Sequence, residues 1–366
     1  MKQSDGCKSR GLKLVKRLQT PKYLKTAIPV LSVCCAFFFC GVLIQLFGNN
    51  PFTVYLKMFN GAFGTWGRFS TTLTKSIPLM LCGFAISLAF KAQLVNVGAE
   101  GQMLLGAWAA AGVALFCDFI PAPLILPAMM LAGMLAGAAW ASFAAFPKAY
   151  LNVNEILLTL MFNYVAIHFL DYFIYGPWRD PHGNNMPYTA KFLQEQRLPD
   201  IGIGVHSGIL IALFTAVVLY FVFRRSVWGY RIRILGESRK AAHYAGINIP
   251  RNIVITLLLS GAIAGMAGFV EASGTVGLLQ AGISNNAGYT GIIIAYLSKF
   301  NPLIVLVVSI LLGGMQAGGY SMQIAGLPVQ IVTMIQGSIL LFVLGGEFFT
   351  RYRIAWGTLG REQKII

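Results

Sequence analysis

The stretch that decides the fold is Phe90-Lys-Ala-Gln-Leu-Val-Asn-Val-Gly-Ala-Glu-Gly-Gln102, in which a lysine, two glycines and a carboxylate interrupt two apolar runs, Ser76 to Phe90 and Met103 to Phe116. A helix needs ~20 apolar residues to cross ~30 Å of hydrocarbon, and neither run reaches that length alone. The polar stretch is therefore expected to lie close to the bilayer. Charge and irregular backbone persist at that depth only when buried in protein or lining a wet cavity. Asn96, Glu100 and Gln102 thus become candidates for a transport pathway. The alternative reading is an ordinary tight turn between two helices, with Glu100 at the interface.

Outward from this stretch, composition sets the class. With 57% hydrophobic residues, 11% charged residues and a mean hydropathy of +0.69, the chain has no polar shell for a soluble enzyme. An all-α polytopic membrane protein is expected. The formal net charge of +16 need not mean nucleic acid, because cytoplasmic segments of membrane proteins carry an excess of Lys and Arg. Of the six cysteines, Cys34, Cys35, Cys40 and Cys82 lie in apolar runs, where thiols pack as small hydrophobes. No pair has zinc or redox spacing. Ile28 to Gly48 is longer than a signal-peptide core and no small-residue cleavage site follows, so it reads as an uncleaved first span.

The spans expected in order are Ala27 to Phe47, the two runs above, Leu124 to Phe146, Glu155 to Tyr175, Ser207 to Phe223, Ile253 to Val270, a short segment Gly288 to Ser298, Pro302 to Gly319 and Pro328 to Gly346. Asn49 to Lys75 is expected outside, with a helix lying in the interface, and Trp178 to His206 forms a second external excursion. Residues 1–26 form a basic cytoplasmic N-terminus, 27–346 the transmembrane domain with a basic loop at 224–252 inside it, and 347–366 a basic tail. Ten crossings with both termini in the cytoplasm leave only Lys57, Arg68, Lys75, Arg179, Lys191 and Arg197 of the 28 basic residues outside. Small residues at helical spacing, such as Gly133 with Gly137, Gly261 with Gly265 and Gly314 with Gly318, allow close helix contact where lipid supplies little hydrophobic drive. Spans two to five and seven to ten form two groups of four in opposite orientation, the arrangement of an inverted repeat. Each group carries an interrupted segment, at 96–102 and at 282–291.

Two further stretches carry candidates. Gly236 to Pro250 reads as a short helix starting near Ser238, with Glu237 at its positive end, Gly246 suited to a left-handed stop and Pro250 preventing continuation. Its small alanines beside His243 and Tyr244 suit docking into a groove on a cytoplasmic protein, or the loop merely fixes topology. In Asn152 to Asn163, the residues Glu155, Thr159 and Asn163 recur at every fourth position and form a polar stripe facing other helices. The stripe could touch a polar solute or make interhelical hydrogen bonds. His168 and Asp171 lie off it, and Glu271 reads as a solvated charge closing span seven. The sequence holds no GxxxxGK[ST], HExxH or GxSxG pattern, so ATP-driven work would need a partner.

These residues together resemble a known family. Leu88-Ala-Phe90 before Asn96-Val-Gly-Ala-Glu-Gly-Gln102, Asn154-Glu155 with Thr159-Leu-Met161 and Asn163, the Gly236 to Ile247 loop, Gly288-Tyr-Thr-Gly-Ile292, and Gly313-Gly314 with Gln336-Gly337 resemble the permease subunit of bacterial ABC importers for nucleosides and simple sugars, from about Pro51 to Gly346. The 96–102 motif looks more like the nucleoside branch than the ribose branch. Tyr296-Leu-Ser-Lys299 departs from the more apolar run usual there. The resemblance implies a multi-pass protein of the cell membrane, surrounded by lipid. It implies pairing with a second related permease, a cytoplasmic ABC ATPase that carries ATP and Mg, and an extracytoplasmic substrate-binding lipoprotein. By the resemblance Gly236 to Ile247 is the coupling segment, with Gly236, Glu237, Arg239, Ala241, Tyr244 and Gly246 as its contact residues, while Asn96, Glu100, Gln102, Asn154, Glu155 and Asn163 are expected, from the residues themselves, to line or brace the pathway. No cofactor or metal on this chain, no catalysis and no nucleic acid are expected. The rival reading is a stand-alone ion-coupled secondary transporter with Glu100 and Glu155 as proton carriers.

Overall fold

The computed structural model describes residues 10–16, 22–181, 186–324, 328 and 330–358, so parts of the basic N-terminus (1–26) and tail (347–366) lie outside the described residues. By contact the chain divides into a unit of residues 50–336 and a second made of the two terminal portions. In the terminal unit, helix α1 (Lys22–Leu46) contributes Phe39, whose ring meets Phe342 at 5.8 Å. Strands β1 (Arg10–Lys16) and β2 (Tyr352–Thr358) pair antiparallel in the same unit, the one sheet among the described residues.

The larger unit is helical: α2 (Pro51–Phe63), α3 (Trp66–Lys91), α4 (Ala99–Phe116), α5 (Ala122–Leu151), α6 (Glu155–Tyr175), α7 (Gly208–Arg225), α8 (Val227–Glu237), α9 (Arg239–Tyr244), α10 (Ile249–Val270), α11 (Ala287–Leu297), α12 (Pro302–Ile324) and the start of α13 (Gln330–Arg351). Several starts have a side-chain cap that satisfies orphan amides: Asn50, Thr65, Asn154, Ser226, Ser238 and Asn248 each accept from a backbone N–H one turn on. Eight helices of the described residues are long and apolar enough to cross a membrane, and α11 and the Gln330–Gly346 part of α13 are shorter apolar helices. Together they account for the ten segments expected from hydropathy.

Helices α3 and α10 are the most buried, while α5 and α6 expose most of their surface outside the chain. Backbone contact between glycines holds the centre together. A Cβ on Gly137 of α5 would lie 2.3 Å from the Gly261 oxygen of α10, one on Gly265 would lie 2.1 Å from the Gly133 oxygen, and one on Gly106 of α4 would lie 2.2 Å from the Gly265 oxygen. Two of the three expected glycine pairs, Gly133 with Gly137 and Gly261 with Gly265, thus form the seam of α5 and α10 that Gly106 of α4 joins, while Gly314 and Gly318 of α12 face α2.

Three expectations are corrected. Helix α3 begins at Trp66 and runs for 26 residues, so much of the segment assigned outside belongs to a full-length span. Polar residues had broken its hydropathy, but the backbone absorbs them: Thr72 Oγ1 donates to Ala62 O at 2.8 Å and Ser76 Oγ to Thr72 O at 2.6 Å. Helix α2 packs against α3 and α12, where a Cβ on Gly318 would meet Met58 O at 2.3 Å. It does not simply rest on an interface. The 224–252 loop is also largely helical, with α8 preceding the expected short helix α9.

Candidate translocation site

Between α3 and α4 the chain turns through residues 92–98, with Gln93 at φ 55°. Asn96 organises this turn. Its Oδ1 accepts from Gly98 N (3.1 Å), it exchanges two hydrogen bonds with the Gln102 amide (2.9 and 3.2 Å), and its Nδ2 donates to Ser260 Oγ of α10 (2.8 Å). Ser260 in turn donates to Ala85 O of α3 at 2.6 Å. One side-chain amide therefore ties α3, α4 and α10 to a turn that would otherwise bury unpaired polar groups.

Glu100 stands in the first turn of α4 and reaches the other interrupted segment. Its carboxylate accepts from Ser284 Oγ and from Gly288 N (2.8 Å), at the start of α11. The two helix N-termini approach so closely that a Cβ on Gly288 would lie 2.3 Å from Glu100 N, which only glycine permits. A carboxylate shared between two positive helix ends is favourably placed. Asn163 of α6 completes the join: its Oδ1 accepts from Gly101 N (2.9 Å), and its Nδ2 donates to Val97 O (3.0 Å) and to Tyr289 Oη (3.2 Å). Asn96, Glu100, Gln102, Thr159 and Asn163 are all buried inside the chain.

Asn154 and Glu155 stand apart from this network. Asn154 caps α6 through Ile156 N (3.0 Å), and Glu155 pairs with Lys148 of α5 at 2.6 Å. They sit beside the 152–154 turn that α9 touches, where Arg239 Nη1 donates to Asn152 Oδ1 at 3.4 Å. Helix α9 starts as expected, with Ser238 Oγ accepting from Ala241 N (3.2 Å), and Gly246 closes it at φ 69°. Glu237 is the last residue of α8. Glu237, Arg239 and Ala241 are exposed and Tyr244 is 90% exposed, while Ala242 packs inward. Gly236 faces the protein: a Cβ there would sit 2.4 Å from Lys91 O, at the end of α3. The α8–α9 segment is thus seated on both the α3–α4 and the α5–α6 connections.

Glu271, expected as a solvated end charge, is 2% exposed. It opens a π-helical turn, Glu271–Val276, at the end of α10, pairs with Lys75 of α3 (3.4 Å) and accepts from Thr275 Oγ1 (3.0 Å). Sequence reading gave no role to Ser260, Ser284 and His206, and quoted Tyr289 only within the Gly288 to Ile292 motif. The asparagine-rich break at 284–286 was the available signal for Ser284, whereas a lone serine within α10 gives none. Among the described residues no cluster of metal-ligating side chains occurs.

Comparison with known proteins agrees with this architecture. The family model described as branched-chain amino acid transport system / permease component matches residues 68–344. The glucose ABC transporter permease protein TsgB13 of Haloferax volcanii is 33% identical, over 94% of this chain and 93% of that protein. The guanosine ABC transporter permease protein NupP of Bacillus subtilis is 30% identical, over 90% of this chain and 94% of that protein. The nucleoside ABC transporter permease protein NupB of Lactococcus lactis is 26% identical, over 88% and 91%. Family match and full-length relatives together place the chain in the branched-chain amino acid transport system permease family: it is a multi-pass membrane permease subunit of an ABC transporter.

Proposed function

We propose that this permease forms one half of an import passage for a nucleoside or simple sugar, paired with a second related permease, driven by cytoplasmic ABC ATPase subunits and supplied by an extracytoplasmic substrate-binding protein. Glucose, guanosine and nucleosides are the solutes in the names of the three relatives given above, and each of these carries a sugar unit. The excess of Lys and Arg in 224–252 favours the cytoplasmic side for α8 and α9, with both termini there and the 186–206 segment outside.

The observation that carries the reading is the seating of α8–α9. Exposed Glu237, Arg239, Ala241 and Tyr244 are free to contact the ATPase, while Gly236 and Arg239 bear on the α3–α4 and α5–α6 turns and Gly246 sets the exit of α9. Movement of α9 therefore reaches the turn organised by Asn96 and, through Glu100 and Asn163, the start of α11. In this role Asn96, Glu100, Gln102 and Asn163 brace the passage, and Asn154 and Glu155 with Lys148 hold the inner end of α6. The burial and pairing of Asn96, Glu100, Gln102, Asn163 and Glu155 favour bracing over solute contact and over the proton-carrier role of the ion-coupled alternative. ATP and Mg belong to the partner.

The test is sidedness. A thiol introduced by Arg239→Cys should react with an impermeant maleimide only after the cells are opened. Reaction from outside intact cells would overturn the reading.

A further inference from the structure

On the side opposite α9 lies a cavity of about 500 Å³ between α3, the 194–206 segment and the π-helical turn after α10. Its polar lining comes from Thr74, Gln194, Arg197, Asp200, His206 and Thr275. The floor is a hydrogen-bonded chain. Gly208 N–H donates to His206 Nδ1 at 3.2 Å, which leaves the ring proton on Nε2, 3.4 Å from Thr275 Oγ1. Thr275 Oγ1 donates its hydrogen bond to Glu271 Oε2 at 3.0 Å, and Lys75 pairs with the other carboxylate oxygen. Glycine backbone makes room for the imidazole: a Cβ on Gly274 would come within 2.6 Å of the ring.

At the rim, Arg197 Nη2 donates to Val276 O (3.4 Å) and Asp200 Oδ1 accepts from Gly202 N (2.9 Å). Each has hydrogen-bonding capacity beyond that single bond, since a guanidinium carries five N–H donors and a carboxylate about four acceptor sites. The charges balance, Arg197 against Asp200 and Lys75 against Glu271. His206, held neutral by burial at about 4, adds none. A balanced lining gives an anion or a cation no advantage. Donors and acceptors lie side by side, so the ligand group that satisfies both is one that both donates and accepts, a hydroxyl. Among the described residues no Phe, Tyr or Trp lines the cavity, and the one ring there, His206, is packed against the backbone of Gly208 and Gly274, so a base finds no open ring face to stack on. The volume falls within the ~300–1,000 Å³ usual for small-molecule sites.

We propose that this cavity is a receiving site for the hydroxyl-bearing sugar unit of an uncharged solute. The site rests on the import reading given above and deepens it: it reads the unit that nucleosides and simple sugars share and is indifferent to a base. Arg197 and Asp200 bind hydroxyls at the rim, and Thr74 and Thr275 bind them within.

Two measurements test the proposal. In the first, the complete transporter with the variant Thr74→Cys, in a background lacking other reactive thiols, is labelled with a soluble maleimide in the presence of millimolar ribose, glucose or inorganic phosphate. Ribose and glucose should each slow labelling at least threefold and phosphate should not. Equal labelling in all three overturns the site, and protection by phosphate alone overturns the chemistry assigned to it. The second measurement is ATP-driven uptake of radiolabelled guanosine and glucose by the reconstituted transporter carrying Thr74→Trp, which narrows the cavity with a bulky ring, or Thr275→Val, which removes the hydroxyl. Whichever of the two the wild type transports should fall at least tenfold with Thr74→Trp and severalfold with Thr275→Val. Wild-type uptake that both variants leave intact overturns the receiving site alone, whereas absence of ATP-driven uptake in the wild type overturns the import reading beneath it.

Discussion

Replacing Gly236 is expected to separate ATP hydrolysis from transport. A methyl group at this position would meet the Lys91 carbonyl oxygen at 2.4 Å and the Ala92 carbonyl carbon at 3.3 Å. Ordinary contact begins at 3.4 Å, so α8 or the end of α3 must yield by roughly 1 Å, and neither obstacle is a flexible side-chain end. Overpacking of this kind costs about 1–3 kcal/mol. If that strain falls on one of the two states between which the permease alternates, the population ratio shifts roughly five- to 150-fold. Gly236→Ala should therefore lower solute taken up per ATP by about tenfold in proteoliposomes, with permease–ATPase assembly and basal hydrolysis retained. Gly67→Ala is the control: its Cβ meets nothing within 4 Å and it lies outside α8 and α9, so it should leave the ratio close to wild type. Wild-type uptake per ATP in Gly236→Ala would refute the transmission of movement through this contact.

Other expected outcomes can be measured on the purified permease. Glu100→Ala leaves Gly288 N–H and Ser284 O–H without their acceptor, at about 1–3 kcal/mol each, and should lower the melting temperature in detergent clearly more than Glu100→Gln. Uptake by Glu100→Gln should keep the wild-type pH profile, whereas loss of pH dependence would favour the proton-carrier alternative. Gly265→Leu, aimed into the Gly133 oxygen, should abolish the monodisperse peak in size-exclusion chromatography, and Gly67→Ala, with open space, should not change it. Acid should loosen the 194–206 segment. His206 faces Asp200, Lys75, Glu271 and Thr275, and burial, aided by Lys75 and opposed by Asp200, lowers it from 6.5 to about 4. The opened segment binds more protons between those values, so the contribution is fully present above pH 6.5 and is lost as pH falls through 4. It amounts to about 3 kcal/mol in all. Amide exchange around 200–208 should rise between pH 6.5 and 4.5 once corrected for intrinsic rates, and His206→Gln should flatten that rise.

How much was legible in the sequence depended on whether a signal was local. Helix α9 could be read residue by residue, because Ser238 and Gly246 act within a turn of where they stand, whereas Pro250, read as a stop, lies in the first turn of α10. The α3–α4 break was legible for the same reason, and so were the glycine pairs of α5 and α10, although their mutual registry was not. The N-terminal part of α3 was misjudged because Thr72 and Lys75 look like solvent residues until the atoms that satisfy them are known. Two of those partners, Ala62 and Glu271, are distant in sequence or in another helix. Glu271 was misread by the same logic: a charge at the end of a span looks solvated, and Lys75 lies 196 positions away. The stripe on α6 illustrates a mixed outcome. Its periodicity placed Glu155, Thr159 and Asn163 on one buried face, but not that Asn163 would hold both interrupted segments while Glu155 served a neighbouring lysine.

The central claim is that this permease moves solute only when a nucleotide-hydrolysing partner acts on α9. It is tested most directly by measuring accumulation of radiolabelled guanosine and glucose in proteoliposomes that hold the permeases, with and without the ATPase, in the presence of the binding protein and ATP. Accumulation that appears only when the ATPase and hydrolysable ATP are both present is the predicted result. Sustained accumulation by the permeases alone, driven by a proton or sodium gradient, would contradict it.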